Sequence, residues 1–200
     1  MRFAAPALMA GNVGLLKHAS NVPQSAEMLE ALFLEAGFPE GVFQNLFMSI
    51  PQTPSVIDDA RVAAVTLTGS VKAGISVGER AGKNLKKVVL ELGGSDPFIV
   101  LKDADIIEAA KIGTLSRLQN CGQTCIAAKR FIVEASVAKL FVAELIRNFE
   151  QEKVGDPFQK DTTIGPLATE NILKGIEEQV ARSVEKGAVI VLGGKRMSGK

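Results

Sequence analysis

The sequence predicts an α/β chain built from parallel strands joined by crossover helices. Short β-branched or apolar runs alternate with segments of helical periodicity, and glycine and proline punctuate the alternation. No internal repeat or low-complexity tract interrupts it. Two hundred residues with 46% hydrophobic content suffice for one large domain or for parts of two.

Asn12 to Leu16 reads as the first strand. Ser25 offers a helix cap, and Glu27 to Ala36 carries Met28, Leu29, Leu32 and Phe33 before Gly37 stops the helix. Val42 to Phe47 is a second strand and Ala63 to Leu67 a third, followed by Gly69-Ser70 and a helix reaching Ala81. Val88 to Glu91 is a fourth strand, and Gly93-Gly94 is the best break between domains, giving segments 1–93 and 94–200. Beyond it come a strand at Phe98 to Leu101, a helix from Asp105, a strand at Arg130 to Val133 and a helix from Val137 to Phe149. Gly155-Asp156-Pro157 and Gly165-Pro166 mark loops. A helix near Thr169 to Lys186 then leads to a strand at Val189 to Leu192.

Charge narrows the partners. Lys and Arg number 23 against 22 Asp and Glu, so the net field attracts neither nucleic acid nor an anionic membrane. No apolar run reaches the length of a membrane span, and the apolar stretch after Arg2 is too short, and broken by Pro6, to read as a signal peptide. Two cysteines make no disulfide framework, and a reducing cytoplasm is the expected setting.

Two segments carry chemistry. Cys125 ends the run Asn120-Cys121-Gly122-Gln123-Thr124-Cys125, and Glu91 lies 34 residues upstream in Leu90-Glu91-Leu92-Gly93-Gly94. A thiol nucleophile and a carboxylate able to activate water, both beside small residues that let backbone approach a substrate, describe acyl chemistry through a thioester. Alone, a cysteine is most often a small buried side chain and a strand-end glutamate a solvated one. The thiolate is the attacking form, and no histidine stands next to Cys125 in the sequence to generate it. Thr68-Gly69-Ser70-Val71-Lys72-Ala73-Gly74 lies between a strand and a helix, where backbone N–H groups and the helix dipole meet phosphate. Its glycines do not form G-x-G-x-x-G, so read alone it is an ordinary turn.

The Glu91 and Cys125 segments, in this order and at this spacing, resemble the aldehyde dehydrogenase superfamily, and the resemblance covers essentially all of the chain. It implies part of a Rossmann-type cofactor domain followed by part of an α/β catalytic domain, with NADP or NAD as cofactor. In such enzymes Cys125 adds to the aldehyde, hydride passes to the nicotinamide, and Glu91 activates the water that hydrolyses the thioester. Coenzyme-A-acylating relatives typically lack that base. The Gly69, Ser70 and Gly74 turn resembles the family's pyrophosphate turn, and Lys17 matches a lysine that contacts the adenosine ribose. Ser20 stands where many NAD-preferring members have a glutamate; a neutral side chain removes the repulsion of a 2′-phosphate, so both cofactors are expected to be tolerated. His18, the one histidine, replaces a common proline and is expected at the surface or beside the ribose. Cys121 is either a packing residue or an oxidation partner of Cys125.

The run Met9 to Ser20 is similar to bacterial members that act on succinate semialdehyde. Arg2 falls where those enzymes set an arginine against the far carboxylate, although Gln119 stands where some carry a second arginine. A general aliphatic aldehyde is the second choice. Family members are more than twice as long and are expected to be homo-oligomers. The resemblance therefore also implies missing parts: an upstream asparagine that donates to the oxyanion, the first strands of the cofactor domain, an oligomerisation hairpin and downstream ribose contacts. It expects the chain to open inside a helix. A catalytically silent remnant or interaction module that keeps the motifs by descent is the competing reading.

Overall fold

The computed structural model describes residues 1–197, and its strands form three parallel pairs, each joined by a crossover helix. The chain divides into two compact units, Met1–Gly93 and Gly94–Lys200.

The first unit runs α1 (Ala4–Met9), β1 (Gly14–Leu16), α2 (Pro23–Glu35), β2 (Phe43–Asn45), a 3-10 turn (Ile50–Gln52), α3 (Thr53–Asp58), β3 (Ala64–Gly69), α4 (Val71–Lys83) and β4 (Lys87–Leu92). Strands β1 and β2 pair with Leu16 opposite Asn45, and β3 and β4 pair with Thr68 opposite Glu91 and Gly69 opposite Leu92. Ala4, Leu8 and Phe43 form a small core against Leu29, Phe33 and Phe38; the Phe33 and Phe43 rings lie 4.9 Å apart. Arg80 of α4 clasps Asp58 at the end of α3, and Asn84 donates to the same carboxylate at 2.8 Å.

The second unit runs β5 (Asp96–Val100), α5 (Ile106–Leu118), a short turn (Gln119–Gly122), β6 (Ala128–Val133), α6 (Ala135–Glu150) and α7 (Glu170–Glu185). Its core is denser. Phe141 and Val100 are fully buried with Ala110, and Phe98 and Phe131 pack against them with ring centroids 5.3 Å apart. Burying a side chain the size of Phe141 stabilises by roughly 2–3 kcal/mol. Gly113 makes room for this packing, because a Cβ there would lie 2.9 Å from Phe131. Asp105 caps α5 through the Glu108 N–H, and Thr169 caps α7 through the Ile172 N–H, as side chains of these types do at helix starts.

The parallel strands form three separate pairs, two in the first unit and one in the second. Several expectations change. Helix α2 begins at Pro23, whose fixed φ suits a first helical position, so Ser25 lies inside the helix and caps nothing. Ile50–Asp58, which carries two prolines, folds into a 3-10 turn and α3 because both prolines occupy first-turn positions. Val189 to Leu192 forms no strand. Among the described residues nothing pairs with it, and Arg196 instead ties the following segment to α7 through Glu170 at 2.8 Å and Glu177 at 3.0 Å.

Candidate active site

Local backbone geometry sets the thiol in place. Helix α5 ends at Leu118, and Asn120, Cys121 and Gly122 then take left-handed φ values of 52°, 56° and 73° in succession. Glycine tolerates this region and asparagine visits it, but a cysteine there is strained by about 1–3 kcal/mol. Side chains offset the strain. Arg117, half-buried at the end of α5, donates to the Gly122 carbonyl at 2.9 Å and to the Ala128 carbonyl at 3.4 Å. Burial pushes its guanidinium below the ordinary arginine value. Thr124 Oγ1 donates to the Gln119 carbonyl at 3.0 Å, and Gln123 Oε1 accepts from the Ala168 N–H at 3.0 Å. Hydrogen bonds from charged donors contribute about 1.5–3 kcal/mol each, so the two from Arg117 are of the size needed to hold one strained residue.

Cys125 follows on a turn just before β6, with its thiol free and the residue exposed. Lys129 reaches back from β6 and donates to the Thr124 carbonyl at 2.9 Å and the Cys125 carbonyl at 3.0 Å. Gly94 supports the turn from the other side. A Cβ there would lie 3.3 Å from the Cys125 carbonyl oxygen and 3.2 Å from Asp96 Oδ1. Cys121 is half-buried, and its sulfur would lie 3.8 Å from a Cβ on Gly165, a packing environment.

Glu91 belongs to the first unit. It is exposed at the penultimate position of β4, and among the described residues its carboxylate has no hydrogen-bond or ion-pair partner. The register puts it opposite Thr68 and next to Gly69 opposite Leu92, so the β4 end and the β3 turn stand side by side. In that turn Ser70 is the N-cap of α4, its hydroxyl accepting from the Ala73 N–H at 3.2 Å. The preceding residues, Val71 and Lys72, are exposed and their amides meet no acceptor among the described residues, leaving the start of a 13-residue helix open to an anion. Gly74 is buried and faces the strand: a Cβ there would come within 2.7 Å of Leu92, so its absence lets α4 approach β4.

Lys17 and Ser20 follow β1. Lys17 Nζ donates to the His18 carbonyl at 2.6 Å, and Ser20 is exposed on the turn leading to α2. His18 sets its ring edge-on to Phe47 at 5.4 Å and places Nδ1 2.7 Å from the Ala19 carbonyl. Its Nε2, and both side-chain polar atoms of Asn45 at the end of β2, are buried without a partner. Orphaned polar atoms at the carboxyl ends of parallel strands fit a polar ligand such as a nucleotide, which binds at that edge in α/β folds. Arg2 is exposed in the turn before α1, with no ion pair among the described residues.

Arg117, Lys129 and Asn45 did not stand out in the sequence. A cation on each side of the glycine-bearing motif is the signal for the first two, and it is weak because surface cations are common. Among the described residues no group of three His, Cys, Asp or Glu could hold a metal, and no helix is long and apolar enough to cross a membrane.

Comparison with known proteins gives the family. A family model described as "Aldehyde dehydrogenase family" matches residues 1–200. A probable succinate-semialdehyde dehydrogenase [NADP(+)] of Synechocystis sp. is 55% identical over 196 residues, 98% of this chain and 43% of that protein. A succinate-semialdehyde dehydrogenase [NADP(+)] 1 of Mycobacterium ulcerans is 54% identical over 99% of this chain and 43% of its own length. The crystal structure of succinic semialdehyde dehydrogenase from Streptococcus pyogenes, in complex with NADP+, superposes with a TM-score of 0.95 at 44% identity, covering 98% of this chain and 43% of that one. The chain thus spans less than half the length of these relatives. An exposed thiol on a braced turn, a strand-end carboxylate and a family model that matches from the first residue to the last make this chain a member of the aldehyde dehydrogenase family.

Proposed function

We propose that this chain carries the thiol, the base and part of the cofactor site of an NADP-dependent aldehyde dehydrogenase whose substrate is succinate semialdehyde. The observation that carries the reading is Cys125, a free exposed thiol on a turn braced by Arg117 and Lys129. The names of the relatives support the substrate and the cofactor.

In this reading residues 1–93 hold the dinucleotide and 94–200 supply the nucleophile. The open amides of Val71 and Lys72 and the Gly69-Ser70 turn take the pyrophosphate, while Lys17 and Ser20 face the adenosine ribose. A neutral Ser20 accepts a 2′-phosphate, so NADP is used and NAD tolerated. When bound, the nicotinamide supplies the hydride acceptor.

The thiolate of Cys125 forms a bond to the aldehyde carbon, and the carbonyl π electrons move onto oxygen. Loss of hydride from that carbon restores the carbonyl as a thioester on Cys125. Glu91 takes a proton from water, the hydroxide adds to the thioester, and the carbon–sulfur bond breaks to release succinate and the thiolate. Arg2 pairs with the far carboxylate of the substrate. The assembled enzyme is a cytoplasmic homo-oligomer in this reading, in keeping with two unpaired cysteines.

The test is reduction of NADP and NAD by the protein with succinate semialdehyde, beside Cys125→Ser. Turnover is expected with NADP and is lost in the variant. Turnover retained in Cys125→Ser would overturn the thiol mechanism, and none from folded unsubstituted protein would favour a silent descendant.

A further inference from the structure

We propose that Lys129 is a positioning residue that polarises the peptide bond joining Thr124 to Cys125; this rests on Cys125 being the nucleophile. The Thr124 carbonyl and the Cys125 N–H belong to one planar, conjugated amide. The Lys129 ammonium donates to that carbonyl at 2.9 Å and to the next one, on Cys125, at 3.0 Å. Density drawn toward the carbonyl oxygen leaves the N–H at the other end a stronger donor, the cooperative effect of linked hydrogen bonds. Among the described residues the Cys125 N–H meets no acceptor, and Cys125 is exposed. That N–H is therefore open to an incoming group on the residue that carries the thiol.

When the thiolate adds to an aldehyde, the carbonyl oxygen gains a full negative charge, and a prepolarised donor stabilises it more than the neutral starting carbonyl. Lys129 is half-buried, so solvent screens its charge less than that of a surface lysine. A purely structural tie makes a different prediction. In that case any donor of similar reach would serve, and substrate binding and stability would change along with rate.

The experiment compares Lys129→Gln, which retains a hydrogen-bond donor without charge, Lys129→Met, which retains neither, and Lys129→Arg, which retains both. Loss of a whole oxyanion donor lowers kcat about 10²–10³-fold. Weakening one by removing a neighbouring charge is expected to cost roughly tenfold, equally in Gln and Met, with KM changed less than about twofold. Lys129→Arg should restore kcat. An unchanged kcat in a folded uncharged variant, or rescue by Gln as good as by Arg, would overturn the proposal. If Cys125→Ser keeps its turnover, the nucleophile reading falls first, which separates the two failures.

A measurement on the unsubstituted protein covers variants that fail to fold. Threonine labelled with 13C at the carbonyl and cysteine labelled with 15N mark this one peptide bond, because Asn120 precedes the other cysteine. Its carbonyl and amide resonances should both lie downfield of those the same peptide bond shows in the chain unfolded by urea. Resonances that coincide with the unfolded ones would overturn the polarisation.

Discussion

The Cys125 turn and the Gly69-Ser70 turn both connect secondary structure, yet they are held in opposite ways. Around Cys125 the backbone is strained and long side chains grip its carbonyls: Arg117 on Gly122, Lys129 on Thr124 and Cys125. At Gly69-Ser70 the backbone leaves a strand and enters a helix directly, and among the described residues one serine hydroxyl at 3.2 Å is the only side-chain tie. Under the proposed function the difference suits two kinds of ligand. A reacting carbon needs one atom placed within a fraction of an ångström, whereas a phosphate needs only a set of amides and a favourable dipole.

Predictions separate the two designs. The largest effect is expected at Glu91, whose strand register fixes its position without side-chain support. Glu91→Gln should stop steady turnover by at least about 10²-fold while leaving the first addition to Cys125 intact. Mass spectrometry of the quenched protein should then find the acyl group on Cys125, and an empty thiol would deny Glu91 the hydrolytic role. Arg117→Met comes next: it removes a charged donor from two carbonyls and should destabilise the protein by about 2–4 kcal/mol, with a faster rate of proteolysis between Leu118 and Ile126. The matching change in the other turn, Ser70→Ala, should cost only about 1 kcal/mol, the usual value of a cap. Equal losses in thermal unfolding would erase the contrast.

The smallest effect concerns the α3–α4 clasp at the far end of the helix that this turn begins. The Arg80 guanidinium holds the Asp58 carboxyl below its ordinary value of 3.8. A depressed carboxylate adds stability above its unfolded pKa and loses it as pH falls through the folded one. The contribution should therefore be whole at neutral pH and fade below about pH 3.8, as the shift in Asp58 requires. Because both partners are exposed, the loss should be small and reduced further by salt. Asp58→Asn should flatten that part of the acid unfolding curve.

Strand and helix positions were largely legible from period and punctuation. Helix α6 was read at Val137 to Phe149 and runs Ala135–Glu150; β4 was read at Val88 to Glu91 and runs Lys87–Leu92. What misled was context: Val189 to Leu192 has the composition of a strand, but a strand requires a neighbour for its amides and none of the described residues supplies one. Composition also could not reveal that Pro51 and Pro54 start helical turns. At the site, the motifs singled out Cys125, Glu91 and the Gly69-Ser70 turn, on which the proposed function rests. They did not indicate how the thiol turn is braced, since Arg117 and Lys129 act through carbonyl oxygens that every residue has. Nor did they foretell that the Ser70 hydroxyl is occupied as a cap, or that Gly74 is buried against Leu92.

The bracing of the Cys125 turn also bears on the order in which the protein folds. Arg117 comes from α5 and reaches past the turn to the Ala128 carbonyl at the start of β6, a contact that forms only once α5 and β6 have come together. The left-handed backbone at Asn120 and Cys121 has little to hold it before then. The turn that carries Cys125 is thus expected to be among the last segments to order and the first to be lost on unfolding, so that in the proposed function the thiol's competence would report on the completed packing of its own unit.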